Sequence, residues 1–142
     1  MITFDDIVRV NHHVNNSTRY VADVTQYGRL EYYENILISG QGDCEDYGFG
    51  KAKELLALGV PIQNLRMAKC WVEEYKIQDA SGMWRWATRA ERYHGVLLVD
   101  FEGVTYCLDN RKPYPVPWNE TGYEFDWVQV PGTAMFVKPE LT

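Results

Sequence analysis

The sequence has no apolar run long enough to span a bilayer, and it has no cluster of lysine and arginine residues. Its first residues, MITFDDIVRV, lack the basic segment and the following apolar stretch of a secretory signal. With 14 basic against 20 acidic residues the net charge is −6, so neither a nucleic acid nor a membrane surface is an expected partner. These absences predict a cytoplasmic protein, or one that reaches its target by another route such as a phage particle.

Repeats, low-complexity blocks and linkers are also lacking, and 142 residues are enough to bury a core without staples. We therefore predict a single domain over residues 1–142. Apolar periodicity predicts helices early in the chain, near residues 3–15, 29–38 and 44–58. It predicts strands later, near residues 65–75, 94–100, 104–109 and 123–130. N-terminal helices packed on an antiparallel sheet in this way are typical of an α+β architecture.

Two segments of the chain fit neither a regular helix nor a regular strand. Residues 78–93 contain a turn signal around Ser81, followed by Trp84 and Trp86 among basic residues. An exposed flap that lines a substrate cleft and an ordinary strand with half-buried tryptophans both fit this pattern. Residues 112–118 carry three prolines, which exclude a helix and a central strand, so we expect an extended surface segment there.

Cysteine is scarce, and no pair of cysteines has the CxxC spacing of a metal site. Cys70 and Cys107 lie inside predicted strands, so we favour buried packing for both, while a disulfide between them stays open. The total of three cysteines leaves at least one free thiol, which fits a reducing compartment. The remaining cysteine, Cys44, has a position that needs a separate explanation.

Cys44 lies at the start of the predicted helix 44–58, within the sequence GDCEDYGFGKAKELLAL. Asp43 is the expected N-cap, and Glu45 and Asp46 supply an acidic first turn. The first turn of a helix has backbone N–H groups without partners and a partial positive charge. It therefore stabilises a thiolate and lowers the pKa of the Cys44 thiol. A small buried hydrophobe, as most free cysteines are, is the alternative interpretation.

A thiol enzyme also needs a base, and the sequence has only three histidines. His94 opens the apolar run HGVLLVD, and the run VTYCLDN follows after Asp100–Gly103. We predict a β-hairpin in which these four residues form the loop and Val99 faces Val104. In that register His94 is the direct cross-strand neighbour of Asp109, with about 5 Å between the Cβ atoms. A shift of one residue would place the two side chains on opposite faces.

A cysteine at a helix N-terminus, followed by a histidine and an aspartate on paired strands, is the arrangement of papain-like and transglutaminase-like thiol enzymes. The segments GDCEDYGFGKAKELLALGVP, LRMAKCWV, HGVLLV and YCLDN resemble the bacterial transglutaminase-like cysteine proteinases, over roughly residues 10–112. GDCEDY is the specific part of this resemblance. It implies a papain-like core in which Cys44 is the nucleophile, His94 the base and Asp109 the acid that orients the imidazole.

The resemblance implies a thiol-dependent peptidase that cleaves a peptide or amide bond through a thioester, with a protein or peptide as substrate. A transglutaminase, deamidase or other acyltransferase would use the same three residues, and a non-catalytic binding or structural protein is a further alternative. The backbone N–H of Cys44 is the first expected donor to the oxyanion. For the second donor, Gln41 and Tyr33 both stay open, and Gln41 could equally be a simple turn residue.

The acidic residues beside the nucleophile need a counter-charge, because Asp43, Glu45 and Asp46 would raise the pKa of the Cys44 thiol. Some members of the resembled family bind Ca²⁺ beside the nucleophile through acidic residues of this kind. No cofactor is required, and Ca²⁺ is a candidate ligand of these three carboxylates. Helix capping and complementarity to the helix dipole is the interpretation we favour. Asp46 could also pair with a basic residue such as Arg66.

Overall fold

The structure of the protein is a computed structural model that describes residues 1–16 and 42–139. Within these residues, two α-helices pack on a six-stranded antiparallel sheet, and a separate two-stranded hairpin follows the first strand. The predicted α+β architecture is therefore confirmed. The helix predicted near residues 29–38 lies outside the described residues. Neither of the helices described is long and apolar enough to cross a bilayer.

The helices are α1 (Phe4–Asn15) and α2 (Gly42–Ala57), with short 3₁₀ turns at Ile62–Asn64 and Trp118–Glu120. The strands are, in chain order, β1 (Leu65–Trp71), β2 (Lys76–Gln78), β3 (Trp84–Trp86), β4 (Tyr93–Phe101), β5 (Val104–Leu108), β6 (Val116–Pro117), β7 (Glu124–Gln129) and β8 (Phe136–Val137). The main sheet has the order β6-β5-β4-β1-β7-β8, and all its neighbouring strands are antiparallel. Strands β2 and β3 pair only with each other.

Thr3 and Asp6 start helix α1, which confirms the helix predicted near residues 3–15. The Thr3 hydroxyl accepts a hydrogen bond from the Asp6 N–H (3.3 Å), and the Asp6 carboxylate accepts one from the Thr3 N–H (2.9 Å). This reciprocal pair is a capping box, which satisfies donors that the first turn leaves unpaired. The helix then buries Ile7, Val10 and Val14 in the core between the helices and the sheet.

Helix α2 begins at Gly42, so Asp43 lies inside the helix and is not the predicted N-cap. Aspartate is favoured both at the cap and in the first turn, where it complements the helix dipole, so its presence does not distinguish the two positions. Gly48 lets the helix come close to the sheet. A Cβ atom at Gly48 would lie 2.5 Å from Met67 Cε and 3.8 Å from the backbone nitrogen of Leu97.

Alternation along β4 divides its side chains between two cores. Leu97 and Val99 belong to the core that includes the helices, whereas Val96 and Leu98 belong to the core on the other face of the sheet. Strand β5 follows the same rule, with Leu108 in the first core and Cys107 in the second. Because side chains alternate along a strand, parity in sequence tells which face a β4 or β5 residue occupies.

The β4–β5 hairpin has a two-residue turn, and the predicted four-residue loop is wrong. Phe101 pairs with Val104, and the turn residues Glu102 and Gly103 have φ angles of 50° and 81°. Positive φ at both positions is the property of a type I′ turn, whose twist matches that of paired strands. The true register differs from the predicted one by two residues, and an even shift leaves every side chain on its predicted face.

Of the two segments that fit neither a regular helix nor a regular strand, residues 112–118 add a strand to the main sheet, whereas β3, within residues 78–93, lies outside it. Residues 78–93 contain strand β3, whose Trp84 and Trp86 are 63% and 59% exposed, so the alternative with half-buried tryptophans is wrong. In the proline-rich segment, Val116–Pro117 form the edge strand β6. A proline is compatible with an edge strand because its missing N–H leaves no partner unsatisfied.

Candidate active site

His94 and Asp109 meet where the β4–β5 hairpin opens, at the end remote from its turn. His94 is the second residue of β4, and Asp109 follows the last residue of β5. His94 Nε2 lies 2.6 Å from Asp109 Oδ1, and both side chains are buried. The observed register makes them diagonal rather than direct neighbours, but their shared parity still brings them together.

The Asp109 carboxylate is held by several donors. Beside His94, the Tyr123 hydroxyl donates to Oδ2 and the Arg111 backbone N–H donates to Oδ1 at 3.0 Å. Burial by itself would raise the pKa of Asp109, but the hydrogen bonds from His94, Tyr123 and Arg111 outweigh it and lower this pKa to about 2. Asp109 is therefore a carboxylate at neutral pH, with the geometry to hold the imidazole in one orientation.

Tyr123, which precedes β7, is a site residue that the sequence does not indicate. Its hydroxyl also accepts a hydrogen bond from the Arg111 guanidinium (3.3 Å), and Arg111 in turn binds Glu73 at 2.8 Å. Burial, together with the hydrogen bond to Asp109, raises the pKa of Tyr123 above its usual range. The phenol therefore stays protonated and remains a donor. No motif or spacing links Tyr123 to Asp109, because they meet only when β7, which follows Tyr123, pairs with β1 in the sheet.

The backbone of Cys44 lies in the first turn of α2, and its side chain lies outside the part of the chain that the structure describes. Gly48, one turn later, approaches the backbone of Leu97. Helix α2 packs against β4, the strand that carries His94. The distance between Cys44 and His94 stays a prediction.

The other two cysteines are buried thiols without a disulfide. Cys70 and Cys107 are 0% and 1% exposed, and neither forms a disulfide. Burial raises the pKa of the Cys107 thiol above its usual range, so this group is a poor nucleophile. The favoured prediction for both residues, buried packing, is confirmed.

Several predicted site residues lie beyond what the structure describes. Gln41 and Tyr33 fall within residues 17–41, so the second oxyanion donor stays a prediction. The side chains of Asp43, Glu45 and Asp46 also lie outside the described part, and Ca²⁺ binding there stays a prediction as well. Among the side chains that are described, no group of three or more His, Cys, Asp and Glu residues could hold a metal ion. Arg66, named as a partner for Asp46, donates to Asp100 at 2.9 Å.

Lys51 is a second site neighbour that the sequence analysis missed. It is 0% exposed, and within residues 1–16 and 42–139 its Nζ has no hydrogen-bond partner. Burial lowers the pKa of Lys51 to about 8, although the negative charge of Asp109 acts in the opposite direction. A signal was available: helical spacing places Lys51 on the same face of α2 as Gly48, which packs on the sheet.

Comparison with known proteins gives one family and one solved structure. Residues 2–81 match the family described as bacterial transglutaminase-like cysteine proteinase, a match that includes Cys44 and ends before His94. A structure of LapG from Legionella pneumophila, treated with EGTA, superposes with a TM-score of 0.44 and 13% sequence identity, over 97% of this chain and 91% of that one. No curated protein matches the chain. Because the family match spans more than half of the sequence, this protein belongs to the bacterial transglutaminase-like cysteine proteinases.

Proposed function

We propose that the protein is a thiol-dependent peptidase in which Cys44 is the nucleophile, His94 the general base and acid, and Asp109 the residue that orients the imidazole. The observation that carries the proposal is the buried contact of 2.6 Å between His94 Nε2 and Asp109 Oδ1. Helix α2, whose first turn contains Cys44, packs against β4. Family membership supports the class of chemistry, and the substrate is a protein or peptide.

The reaction proceeds through a thioester. Cys44 transfers its proton to His94, and the thiolate sulfur attacks the carbonyl carbon of the scissile amide. The C–N bond then breaks, and the departing amine takes the proton from the imidazolium. Water attacks the thioester while giving a proton to His94, the C–S bond breaks, and the proton returns to the sulfur. The net result is hydrolysis of one amide bond.

The Asp109 contact selects which imidazole nitrogen does this work. Because Asp109 accepts from Nε2, Nδ1 is the nitrogen that exchanges a proton with Cys44 and with the amine. The hydrogen bond from Tyr123 and the one from the Arg111 N–H fix the carboxylate in turn. The imidazole is thus oriented by a carboxylate that is itself held at both oxygens.

The oxyanion of the tetrahedral intermediate needs donors that are already in place. Cys44 lies in the first turn of α2, where backbone N–H groups have no intrahelical acceptor. We therefore assign its N–H as the first donor, with Gln41 or Tyr33 as the second. The partial positive charge of the helix N-terminus favours the same negative oxygen.

Alkylation of the native protein with iodoacetamide tests the nucleophile. Cys70 and Cys107 are buried, so rapid modification of one thiol, mapped by mass spectrometry to Cys44, is expected near neutral pH. His94→Gln should slow this modification strongly. His13→Gln is the matched control, because His13 lies on the exposed surface of α1. Equal and slow modification of all three thiols would contradict the proposal and favour a non-catalytic scaffold.

A second experiment separates hydrolysis from amine transfer, which use the same three residues. The protein is incubated with casein and a labelled primary amine, with Cys44→Ala as the inactive reference. New casein fragments without label indicate a peptidase. Label in intact casein would instead indicate a transglutaminase, and release of ammonia without either outcome would indicate a deamidase.

Calcium is a separate proposal, carried only by the acidic residues Asp43, Glu45 and Asp46. Carboxylates of this kind suit Ca²⁺ as oxygen ligands. Isothermal titration with Ca²⁺, and with Mg²⁺ as the control ion, measures binding directly. Heat that appears with Ca²⁺ in the wild type and is lost in Glu45→Gln would support a site. The absence of binding heat would leave complementarity to the dipole of α2 as the role of these residues.

A further inference from the structure

The β2–β3 hairpin carries an apolar surface that the proposed function does not use. Strand pairing places Lys76 opposite Trp86 and Gln78 opposite Trp84. Paired residues, and residues two apart on a strand, share one face of a hairpin, so both indole rings lie on the same face. We call it the tryptophan face. Most of each ring is exposed, and adjacent exposed aromatic rings are typical of a binding surface.

The fold does not use these two rings for its own packing. Strands β2 and β3 pair only with each other, and neither tryptophan belongs to a core of the main sheet. On the opposite face of the hairpin, Ile77 is half-buried, and Arg85 donates to the Glu91 carboxylate at 2.7 and 2.8 Å. Contacts of that opposite face hold the hairpin, and the tryptophan face stays accessible.

The base of the hairpin lies at the end of the main sheet that carries His94. The chain leaves β1 after Trp71 and enters β4 at Tyr93, and these two residues pair directly. His94 is the next residue along β4. The Val72 N–H donates to the Arg92 carbonyl oxygen at 2.9 Å, which closes the base. The hairpin therefore extends from the end of the sheet where the candidate active site lies.

Arg111 connects the entry of the hairpin to the Asp109 carboxylate. Its guanidinium lies 5.6 Å from the centre of the Tyr75 ring and donates to the Glu73 carboxylate at 2.8 Å. Both residues belong to the segment between β1 and β2. The backbone N–H of Arg111 donates to Asp109 at 3.0 Å. One residue thus contacts both the hairpin and the carboxylate that holds the imidazole.

The paired positions of the tryptophan face carry one cation and no acid. Lys76 Nζ lies 4.9 Å from the centre of the Trp86 ring, and the ion pairs of the described residues do not include this lysine. Asp79, in the loop of the hairpin, accepts hydrogen bonds from the N–H groups of Ser81 and Met83. A complementary partner therefore has apolar side chains for the rings and a carboxylate for Lys76.

We propose that the tryptophan face binds the polypeptide substrate away from its scissile bond, and that it selects extended segments in which apolar side chains lie next to acidic ones. The inference deepens the proposed function and rests on it, since the bound chain has to continue to His94. Six residues lead from Val72 to Gln78, the partner of Trp84, a length of at most about 20 Å. An extended substrate spans this length with a similar number of residues.

A second copy of the chain and a lipid surface are the other occupants that exposed tryptophans suit. A symmetric dimer on this face would bring two positively charged faces together. A surface used only for attachment to a bilayer needs no contact with the candidate active site. The shared contact through Arg111 therefore favours the substrate.

Binding is measured in Cys44→Ala, so that no bond is broken during the experiment. The probes are two labelled synthetic peptides with the same leucine and phenylalanine residues, flanked by glutamate in one and by lysine in the other. Fluorescence anisotropy reports their affinities. Adding Trp84→Ala or Trp86→Ala should weaken binding of the glutamate peptide about tenfold, and phenylalanine at either position should restore most of it. The lysine peptide should bind more weakly throughout.

Met135→Ala is the matched control, because Met135 is 64% exposed and lies in the turn between β7 and β8. It should bind both peptides as its parent does. In proteins that retain Cys44, the tryptophan variants should raise KM for casein more than they lower kcat. Thermal unfolding should stay near that of the wild type, since both rings are exposed.

Unchanged affinity in both Trp→Ala variants overturns the inference, and so does an equal loss in Met135→Ala or equal affinity for the two peptides. A wild-type dimer that Trp84→Ala dissociates in sedimentation would identify a second copy as the occupant. A shift of tryptophan emission with phosphatidylglycerol vesicles but not with peptide would identify a lipid surface. Either result overturns the inference as well.

Failure of the inference is distinguishable from failure of the proposed function. Peptide binding that depends on the tryptophans, in a protein that does not hydrolyse casein, would contradict the proposed function. Hydrolysis of casein with unchanged KM in the tryptophan variants would contradict the inference alone.

Discussion

Asp109 and Lys51 are both buried ionisable residues, and the protein treats them in opposite ways. Asp109 accepts hydrogen bonds from His94, Tyr123 and the Arg111 N–H, and its pKa falls to about 2. Lys51 has no such partner in the described residues, and burial lowers its pKa to about 8. Both groups are charged at neutral pH, but only Asp109 is stabilised by its contacts. The difference indicates that the fold satisfies one buried charge and keeps the other at a cost in stability.

The largest expected effect comes from Asp109→Asn, which removes the well-satisfied charge. An asparagine side chain no longer stabilises the imidazolium and can hold the wrong tautomer of His94. Loss of this role lowers hydrolysis by about 10²–10⁴-fold. Initial rates on casein measure the change. The control is Asp100→Asn on the same hairpin, since Asp100 pairs with Arg66 at 2.9 Å away from His94. Equal rates in the wild type and Asp109→Asn would contradict the assigned role.

Lys51→Met should increase the stability of the protein, because it removes the buried charge that has no partner in the described residues. The drop of the Lys51 pKa from 10.5 to about 8 means that the folded state binds this proton less well than the unfolded chain. The charge therefore destabilises the fold at pH values below about 8, by about 3 kcal/mol. This penalty fades as the pH rises toward 10.5. Lys51→Met should raise the free energy of unfolding at neutral pH, and the gain should shrink above pH 8.

Urea unfolding at neutral pH and at two alkaline pH values checks this prediction. Lys53→Met, on an exposed position of the same helix, controls for the general effect of removing a positive charge. A destabilised Lys51→Met would show that the ammonium has a stabilising partner, and the contrast with Asp109 would disappear.

Tyr123→Phe removes one of the hydrogen bonds that distinguish Asp109 from Lys51. The phenol donates to the Asp109 carboxylate, and a hydrogen bond to a buried charge contributes about 2 kcal/mol. We expect the free energy of unfolding to fall by that amount, with a modest loss of activity. Tyr75→Phe is the matched control, because its hydroxyl donates to the exposed Glu91 carbonyl at 3.1 Å. Similar losses in both variants would mean that burial of the bond makes no difference.

The smallest change in the free energy of unfolding is expected for a substitution in the β2–β3 hairpin, which contains no buried charge such as that of Asp109 or Lys51. Trp84 is 63% exposed, so Trp84→Ala should change the free energy of unfolding by less than about 0.5 kcal/mol. Trp118→Ala provides the comparison, since Trp118 packs on Phe125 with ring centroids 5.2 Å apart. It should destabilise the protein by about 2 kcal/mol or more. A large loss in Trp84→Ala would reveal a contact of this ring.

Local signals predict those parts of the fold that depend on nearby residues. The capping box of Thr3 and Asp6 involves residues three apart, and the predicted start of α1 agrees with the structure. The contact of His94 with Asp109 follows from strand parity, which survives an even error in the register. The length of the turn does not follow, because Glu102 is a non-glycine residue with a φ angle of 50°.

Long-range packing explains what the sequence does not predict. The contact of Tyr123 with Asp109 joins the residue before strand β7 to the residue after strand β5, and these strands are not neighbours in the sheet. Strand β8 (Phe136–Val137) has two residues, too few for a periodic pattern. Lys51 is the instructive omission: its spacing on α2 is visible in the sequence, but a lysine there is ordinarily assigned to the solvent.

The turn at Glu102 and Gly103 lies at the opposite end of β4 from His94. Seven strand residues lie between His94 and Glu102, which corresponds to a distance of about 25 Å. Tips of such turns accept inserted peptides more readily than other parts of a fold. An affinity tag attached at this turn would immobilise the protein, and a fluorescent dye attached there would report on it. Either would leave the end of the domain that carries His94 accessible to a large polypeptide.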